Sequence, residues 1–229
     1  MSVHKDIKIL VAGHKEFYVP ENKYLYPIQV GCAINKNRIQ GILHDDEGQN
    51  ISDKNHSYCE MTAHYYAWKN LEADYYGFFH YRRYFSFNDN LHENDGYGNI
   101  ACKTIDTDVA RQICLDEEHI EKVVEGVDIV SVKRRNLATT VYQEYGSVKF
   151  QHRQDLDVTL QVVYDEFPKY AQATREYMNS KQAYECNMFI MKKSLFNEYC
   201  EFVFGVLEKV EGLIDTTWYS QQEYRIFGY

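Results

Sequence analysis

The sequence predicts an α/β domain built on a mostly parallel sheet, and three observations carry that prediction. A short, largely apolar run near the start, residues 7–12 (IKILVA), stops at Gly13-His14-Lys15. That is the pattern of a central parallel strand ending in a turn. A second apolar run, 75–79 (YYGFF), follows a helical stretch that begins at Ser57, which gives the order strand, loop, helix, strand. A third run, 127–132 (VDIVSV), follows another helical stretch.

The remaining elements are read in chain order. Residues 17–31 hold Pro20 and Pro27, two of the three prolines, and read as an irregular, extended connection. Residues 44–52 (HDDEGQNIS) carry turn chemistry throughout. Ser57 reads as a helix N-cap with Glu60 three residues on, a capping box. Tyr58, Met61, Tyr65, Trp68 and Leu71 then recur at helical spacing until about residues 70–73. Residues 88–99 (NDNLHENDGYGN) read as a mobile loop. Residues 106–125 read as one helix, with Val109, Ile113, Ile120 and Val124 on one side and Asp106 and Asp108 capping its start. Residues 142–152 read as a loop or short helix, and 156–177 as one helix interrupted near Pro168. Residues 184–191 contain the strand-like NMFIM. Residues 193–212 form an amphipathic helix whose core stripe is Phe196, Tyr199, Phe202, Val203, Val206, Leu207 and Val210. No repeat, low-complexity tract or linker divides the chain, so residues 1–229 are expected to form a single domain.

Composition narrows the function classes. The 229 residues carry 25 basic and 34 acidic side chains, a net charge of -9, which argues against nucleic acid as a partner. No run of ~18 apolar residues is present, so no membrane-spanning helix is expected. The N-terminal apolar segment is too short for a signal peptide. A cytoplasmic protein is expected, docked at most peripherally on a membrane. The six cysteines show no CxxC spacing and read as reduced, buried thiols. The chain is rich in aromatics, with 21 Tyr, 12 Phe and 2 Trp. Most of these rings fill core, while Tyr also suits half-buried, sugar-facing walls.

The stretch YYGFFHYRRYF (75–85) poses the functional question, because a buried strand ends in a His and two adjacent Arg. Ligands of open α/β sheets bind outside the carboxyl ends of the strands. Three expected strands end in His14-Lys15, in His80-Tyr81-Arg82-Arg83 and in Lys133-Arg134-Arg135. If they run parallel, three cationic clusters converge on one edge, where guanidinium forks can hold phosphate oxygens. No Gly-rich phosphate loop, HExxH, paired Cys/His zinc spacing or GxSxG is present. Asp45-Asp46 and Asp155-Leu156-Asp157 are acidic pairs that could hold Mg²⁺ or Mn²⁺, although an Asp pair near a helix start is commonly a cap. Glu60, Asp45, Asp46, Asp155 and Asp157 are the carboxylates available as a general base, and sequence does not rank them. Glu60 has the rival capping role.

Several segments together resemble a known family: VAGHK, YPIQVG, DDEGQNISDKN, YCEMTAHYYAWKN, HYRRYF, ECNMFIMKKSLFNEYCEFVF and YRIFGY. It is a bacterial domain family attached to capsular-polysaccharide, exopolysaccharide and O-antigen biosynthesis. Its members look like glycosyltransferases, some associated with galactosyl or galactofuranosyl transfer. The resemblance covers nearly the whole chain, and the HYRRYF block is its most specific part. The family usually continues past the YRIFGY segment, so a C-terminal extension is expected to be lacking here. The resemblance implies a GT-A-like nucleotide-sugar-binding fold, a UDP-sugar donor and a lipid-linked glycan acceptor. Such folds commonly carry an Asp-x-Asp metal motif after a central strand, where this chain has His80-Tyr81-Arg82-Arg83. Fixed cations are therefore expected to replace or supplement a metal. His14, Lys15, His80, Tyr81, Arg82 and Arg83 become candidate phosphate-side residues, Gln29 and Asn50 candidates near the nucleotide or sugar, and Asn187 a candidate on the donor sugar. The alternative is a non-catalytic glycan- or anion-binding module that positions a partner transferase.

Overall fold

Residues Ile7–Gly13 form β1, the strand around which the sheet is built. The computed structural model describes residues 5–89, 99–103 and 105–228. Parallel to β1 on one side lies β2 (Leu25–Gln29), followed by the short β3 (Leu43–His44). On the other side lies β4 (Tyr75–His80), also parallel. The strands β5 (Arg83–Tyr84) and β6 (Ile100–Ala101) extend from the end of β4. Beyond β4 the sheet continues through β10 (Phe189–Lys192) to β7 (Ile129–Ser131), giving the order β3-β2-β1-β4-β10-β7. β10 is antiparallel to both neighbours, so β7 again runs with β1 and β4. A separate ribbon pairs β8 (Arg135–Asn136) with β9 (Gln182–Ala183).

Side chains alternate across the sheet and meet a layer on each face. Leu10, Ala12, Tyr76, Phe78, Phe189 and Met191 face α2 (Met61–Asn70), α6 (Arg153–Glu166) and α8 (Lys193–Glu211). Ile7, Ile9, Val11, Tyr75, Phe79 and Ile190 face α3 (Thr107–Gln112), α4 (Glu117–Glu125) and the aromatic stretch through Phe87. Burying a side chain such as Ile9 fully contributes about 1.5–3 kcal/mol. Gly77 sits where three strands press together. A Cβ there would stand 2.8 Å from Ile9 Cγ1 and 3.0 Å from Ile190 Cγ1. The expected α/β class with a mostly parallel sheet flanked by helices is what the structure contains.

Four local expectations are corrected. Residues 17–31 are not wholly irregular, since they contain β2. Alternate residues of β2 bond β1: the Tyr24 carbonyl accepts from Ile9 N–H, and Val30 N–H donates to the Gly13 carbonyl. Pro27 therefore turns its nitrogen away from β1, and pairing with β3 starts only at Ile28, so the missing N–H costs nothing. Ser57 is not an N-cap. It lies inside α1 (Asn55–Tyr58), its hydroxyl donating to the Lys54 carbonyl, and Glu60 makes no capping bond. Cys59, with φ 51°, separates α1 from α2, and the Asn55 side chain spans the break to the Cys59 carbonyl. Residues 106–125 are two helices, divided at Cys114 (φ 52°), with Asp106 and Asp116 as their caps. Of the six cysteines, all free thiols, Cys32 and Cys200 are buried as expected, whereas Cys59, Cys102 and Cys114 are half-buried and Cys186 is exposed.

The later expectations hold with small shifts. Residues 142–152 begin with α5 (Val141–Tyr145), and Phe167 divides α6 from α7 (Pro168–Asn179). Most of the loop expected at 88–99 lies outside the described residues. Among those described, no helix is long and apolar enough to cross a membrane.

Candidate functional site

The carboxyl ends of β1, β2 and β4 open onto one cavity of about 1040 Å³. Its floor comprises Ala12, Gly13, Val30 and Gly31. His14, Lys36, His80, Arg82 and Arg225 bring nitrogen groups to its wall, and Glu60 brings one carboxylate. A cavity of this size stands at the upper end of the range of small-molecule sites, ~300–1,000 Å³.

The cationic groups act on one another. The His14 pKa is lowered by burial first, then by Lys15, Arg82 and Arg225. Burial, reinforced by Arg82, Arg83, His14 and Arg225, lowers that of His80 to about 4. Both imidazoles are therefore neutral at pH 7 and serve as hydrogen-bonding groups rather than cations. His80 Nδ1 accepts the Arg82 main-chain N–H at 3.3 Å, which leaves Nε2–H as its donor. The positive potential comes from Arg82, Arg225, Lys15 and Lys36, and Lys15, Arg82, Arg83 and Arg225 are the fixed charges that act on the two histidines. Such a cluster favours an anion.

Tyr81 organises this rim. Its buried ring packs edge-on to His14 at 5.7 Å and against His80 at 4.4 Å. The Arg82 guanidinium lies 5.0 Å and Lys15 Nζ 5.7 Å from its centroid. Lys15 lines a neighbouring basic groove of about 480 Å³ with Tyr18, Arg82 and Lys103. The two adjacent arginines part company: Arg82 faces the large cavity and this groove, whereas Arg83 lines a small side pocket with Glu60, His64, His80 and Asn187. Asn187 is held there by its bond to the Gly228 carbonyl, 3.1 Å.

The other candidates do not line the cavity but hold its walls. Gln29, fully buried, donates to the Asn37 carbonyl (2.7 Å) and accepts from Ile39 N–H (2.8 Å), fixing the loop that presents Lys36. Asn50 bonds the Asp46 and Gly48 carbonyls and Ser52 N–H, closing its own turn. Asp45 is wholly buried beneath the floor. It accepts from Gly31 N–H (2.8 Å), Cys32 N–H (3.0 Å), Ser52 Oγ (2.5 Å) and Thr62 Oγ1 (2.6 Å). Asp46 pairs with Arg38 at 2.7 Å. Asp155 is buried and takes the Tyr219 hydroxyl at 2.6 Å, while Asp157 is exposed and takes that of Tyr142 at 2.8 Å.

These placements bear on metal binding. Asp155 and Asp157 serve different partners, one buried and one exposed, so that pair does not fit a shared Mg²⁺ or Mn²⁺. Asp45 and Asp46 diverge in the same way. Among the described residues no group of three or more His, Cys, Asp or Glu is placed to hold a metal ion. The third expected cationic cluster does not join the cavity either, because Arg135 is turned to Glu185 and Glu144.

Sequence reasoning gave no role to Arg225, Ser220, Gln221 and Gln222, which close the cavity from the C-terminal segment. Arg225 Nε donates to Cys59 Sγ at 3.1 Å. The YRIFGY block was the signal available, but nothing in its local pattern shows that a distant segment folds back over the sheet edge. Tyr219 on Asp155 and Glu223 on His152 (3.1 Å) dock it on α6.

The family described as a domain of unknown function, DUF4422, matches residues 8–229. The chain belongs to that family. Among solved structures this DUF4422 domain is similar to one described as the apo structure of the WbbM bifunctional glycosyltransferase. Identity is 35% and the TM-score 0.91, over 97% of this chain and 40% of that one. The domain thus spans well under half the length of that enzyme. No curated protein matches.

Proposed function

We propose that this DUF4422 domain is a glycosyltransferase of GT-A-like fold that uses the cavity at the strand ends to bind a nucleotide sugar. The observation that carries the reading is the convergence of Arg82, Arg225 and Lys36 on one cavity whose wall, among the described residues, holds a single carboxylate, Glu60. The likeness to a glycosyltransferase at 35% identity supports it. Arg82, Arg225 and Lys36 hold the diphosphate and offset the charge that builds on it as the glycosidic bond breaks. His14 and His80 donate neutral hydrogen bonds beside them. Glu60 takes the proton of the acceptor hydroxyl. No step is assigned to a metal, since the acidic pairs do not fit one. The donor is a UDP-hexose, galactose or galactofuranose. The acceptor is a lipid-linked oligosaccharide of capsule, exopolysaccharide or O-antigen synthesis, and such an acceptor brings the domain to the inner face of the cell membrane.

Thermal unfolding with UDP tests this. At ~100 times its dissociation constant a ligand adds about 2.7 kcal/mol. For a chain of this length that raises Tm by about 5–10 °C. Arg82→Ala should abolish most of the shift. No shift with the wild type, or a full shift with Arg82→Ala, would overturn the assignment. Glycan binding without nucleotide affinity would favour a non-catalytic module.

A further inference from the structure

The side pocket beside the cavity has a composition that the diphosphate reading does not use. Its volume is about 50 Å³, and it shares Ala12, Glu60 and His80 with the large cavity. That is room for one or two groups of water size, not for a ring. One part of its wall is apolar: Phe78, Phe79 and Met188. The other is polar: Glu60, His64, His80, Arg83 and Asn187.

His64 is the decisive member. It is 1% exposed and packs on Phe78 at 3.9 Å and edge-on to Phe189 at 5.3 Å. One ring nitrogen bonds the Asn187 main chain, and the buried Nδ1 meets no protein partner. A bare buried nitrogen is costly unless a donor reaches it. Burial keeps the ring neutral, with a pKa lowered to about 3, so Nδ1 is an acceptor. The matching ligand group must bring an O–H to His64 and an aliphatic carbon to Phe78 and Phe79. A carboxylate does not match, since it has no O–H to give to Nδ1, and Glu60 in the same wall offsets the attraction of Arg83.

We infer that this pocket receives the exocyclic hydroxymethyl arm of the donor sugar and selects hexoses over pentoses and over uronic acids. The inference rests on the glycosyltransferase reading and, of its two donors, takes galactose in the pyranose form, whose arm is a single hydroxymethyl. The methylene lies against the aromatic wall, and the hydroxyl donates to His64 Nδ1 while accepting from Arg83. A pentose leaves Nδ1 bare. A uronate brings only acceptor oxygens to the acceptor Nδ1, beside Glu60.

Calorimetric titration with UDP, UDP-galactose, UDP-arabinopyranose and UDP-galacturonate tests it, since the last three differ only at the exocyclic arm. The wild type should bind UDP-galactose at least ~10-fold more tightly than UDP-arabinopyranose. His64→Phe keeps an aromatic ring between Phe78 and Phe189 and should lose that gap while binding UDP itself as before. Glu60→Gln, which leaves the core untouched, should bind UDP-galacturonate at least ~10-fold better than the wild type does. Equal wild-type affinity for the hexose and the pentose, with UDP still bound, overturns the pocket assignment and leaves the broader function standing. A gap that survives in folded His64→Phe also overturns it. Should His64→Phe fail to fold, an unchanged rejection of the uronate by Glu60→Gln does the same. Failure of the wild type to bind UDP at all removes the broader reading, and this one with it.

Discussion

Replacing Asp45 with Asn separates the catalytic-base role that the sequence allowed this carboxylate from the structural-staple role that its hydrogen bonds support. Its four donors are two main-chain N–H groups, Gly31 and Cys32, and two hydroxyls, Ser52 and Thr62, all within 3.0 Å. An amide can accept on one side only, so its NH₂ would face two groups that donate. The hydroxyls can rotate to other acceptors, but the main-chain N–H groups cannot. Bonds to a charged acceptor contribute about 1.5–3 kcal/mol each, and one such bond plus one misdirected contact is lost. The expected destabilisation is thus about 3–4 kcal/mol, a large part of a total stability of ~5–15 kcal/mol. With a urea m-value of ~2.5 kcal/mol/M, the midpoint should fall by about 1.2–1.6 M with m unchanged. Equilibrium urea unfolding followed by circular dichroism measures it. Under strongly stabilising conditions the folded variant should still bind UDP. A midpoint within ~0.2 M of wild type together with lost turnover would refute the staple, and Asp45 would return as a candidate base.

Three further outcomes are expected. Stability should fall in mild acid because His64 is buried neutral: its folded pKa of about 3 lies below the ordinary 6.5. The stability it contributes is complete above pH 6.5 and declines as pH falls toward the folded value, by about 2–3 kcal/mol between pH 6.5 and 4.5. Thermal melts across that range should show the decline, and His64→Phe should flatten part of it. Arg225→Ala should weaken UDP binding by ~10- to 100-fold, the loss of one charge-assisted contact, with Tm in the absence of ligand nearly unchanged. Asp155→Ala should reduce UDP affinity several-fold, although Asp155 does not line the cavity. It releases Tyr219 and so loosens the segment carrying Arg225, and calorimetric titration reads the effect.

The parts of the fold legible in the sequence were those governed by periodicity. β1, β4 and the amphipathic α8 stand close to where their apolar patterns placed them. The parts that were not legible depended on partners remote in sequence. β2 was hidden by Pro27, whose tolerance depends on where β3 begins to pair. The break at Cys59 left no local signature, because a non-glycine residue with φ 51° is held there by the Asn55 side chain and the Thr62 turn. At the site, His14, His80 and Arg82 were visible because strand ends are natural ligand edges. Glu60 was visible as a residue but misread as a cap, since Ser-x-x-Glu fits a helix start as well as it fits this break. Arg225 was invisible as a partner of β1 and β4, because over a hundred positions of chain separate them and the docking of Tyr219 on Asp155 and of Glu223 on His152 is what returns it.

The missing side chain at Gly77 works as a depth gauge for the side pocket that Asn187 lines. Ile190 on β10 lies opposite Gly77 in register, between neighbours with no slack. Because β10 runs against β4, its entrance rather than its exit lies at the ligand edge, and Asn187 stands three residues before that contact. Sliding β10 by one residue would turn its apolar faces over and move Asn187 by ~3.4 Å, more than the width of a hydroxyl. A single hydrogen atom in the middle of the sheet thus sets how far the rim reaches into that pocket. Gly77→Ala should therefore blur donor preference as well as weaken the fold.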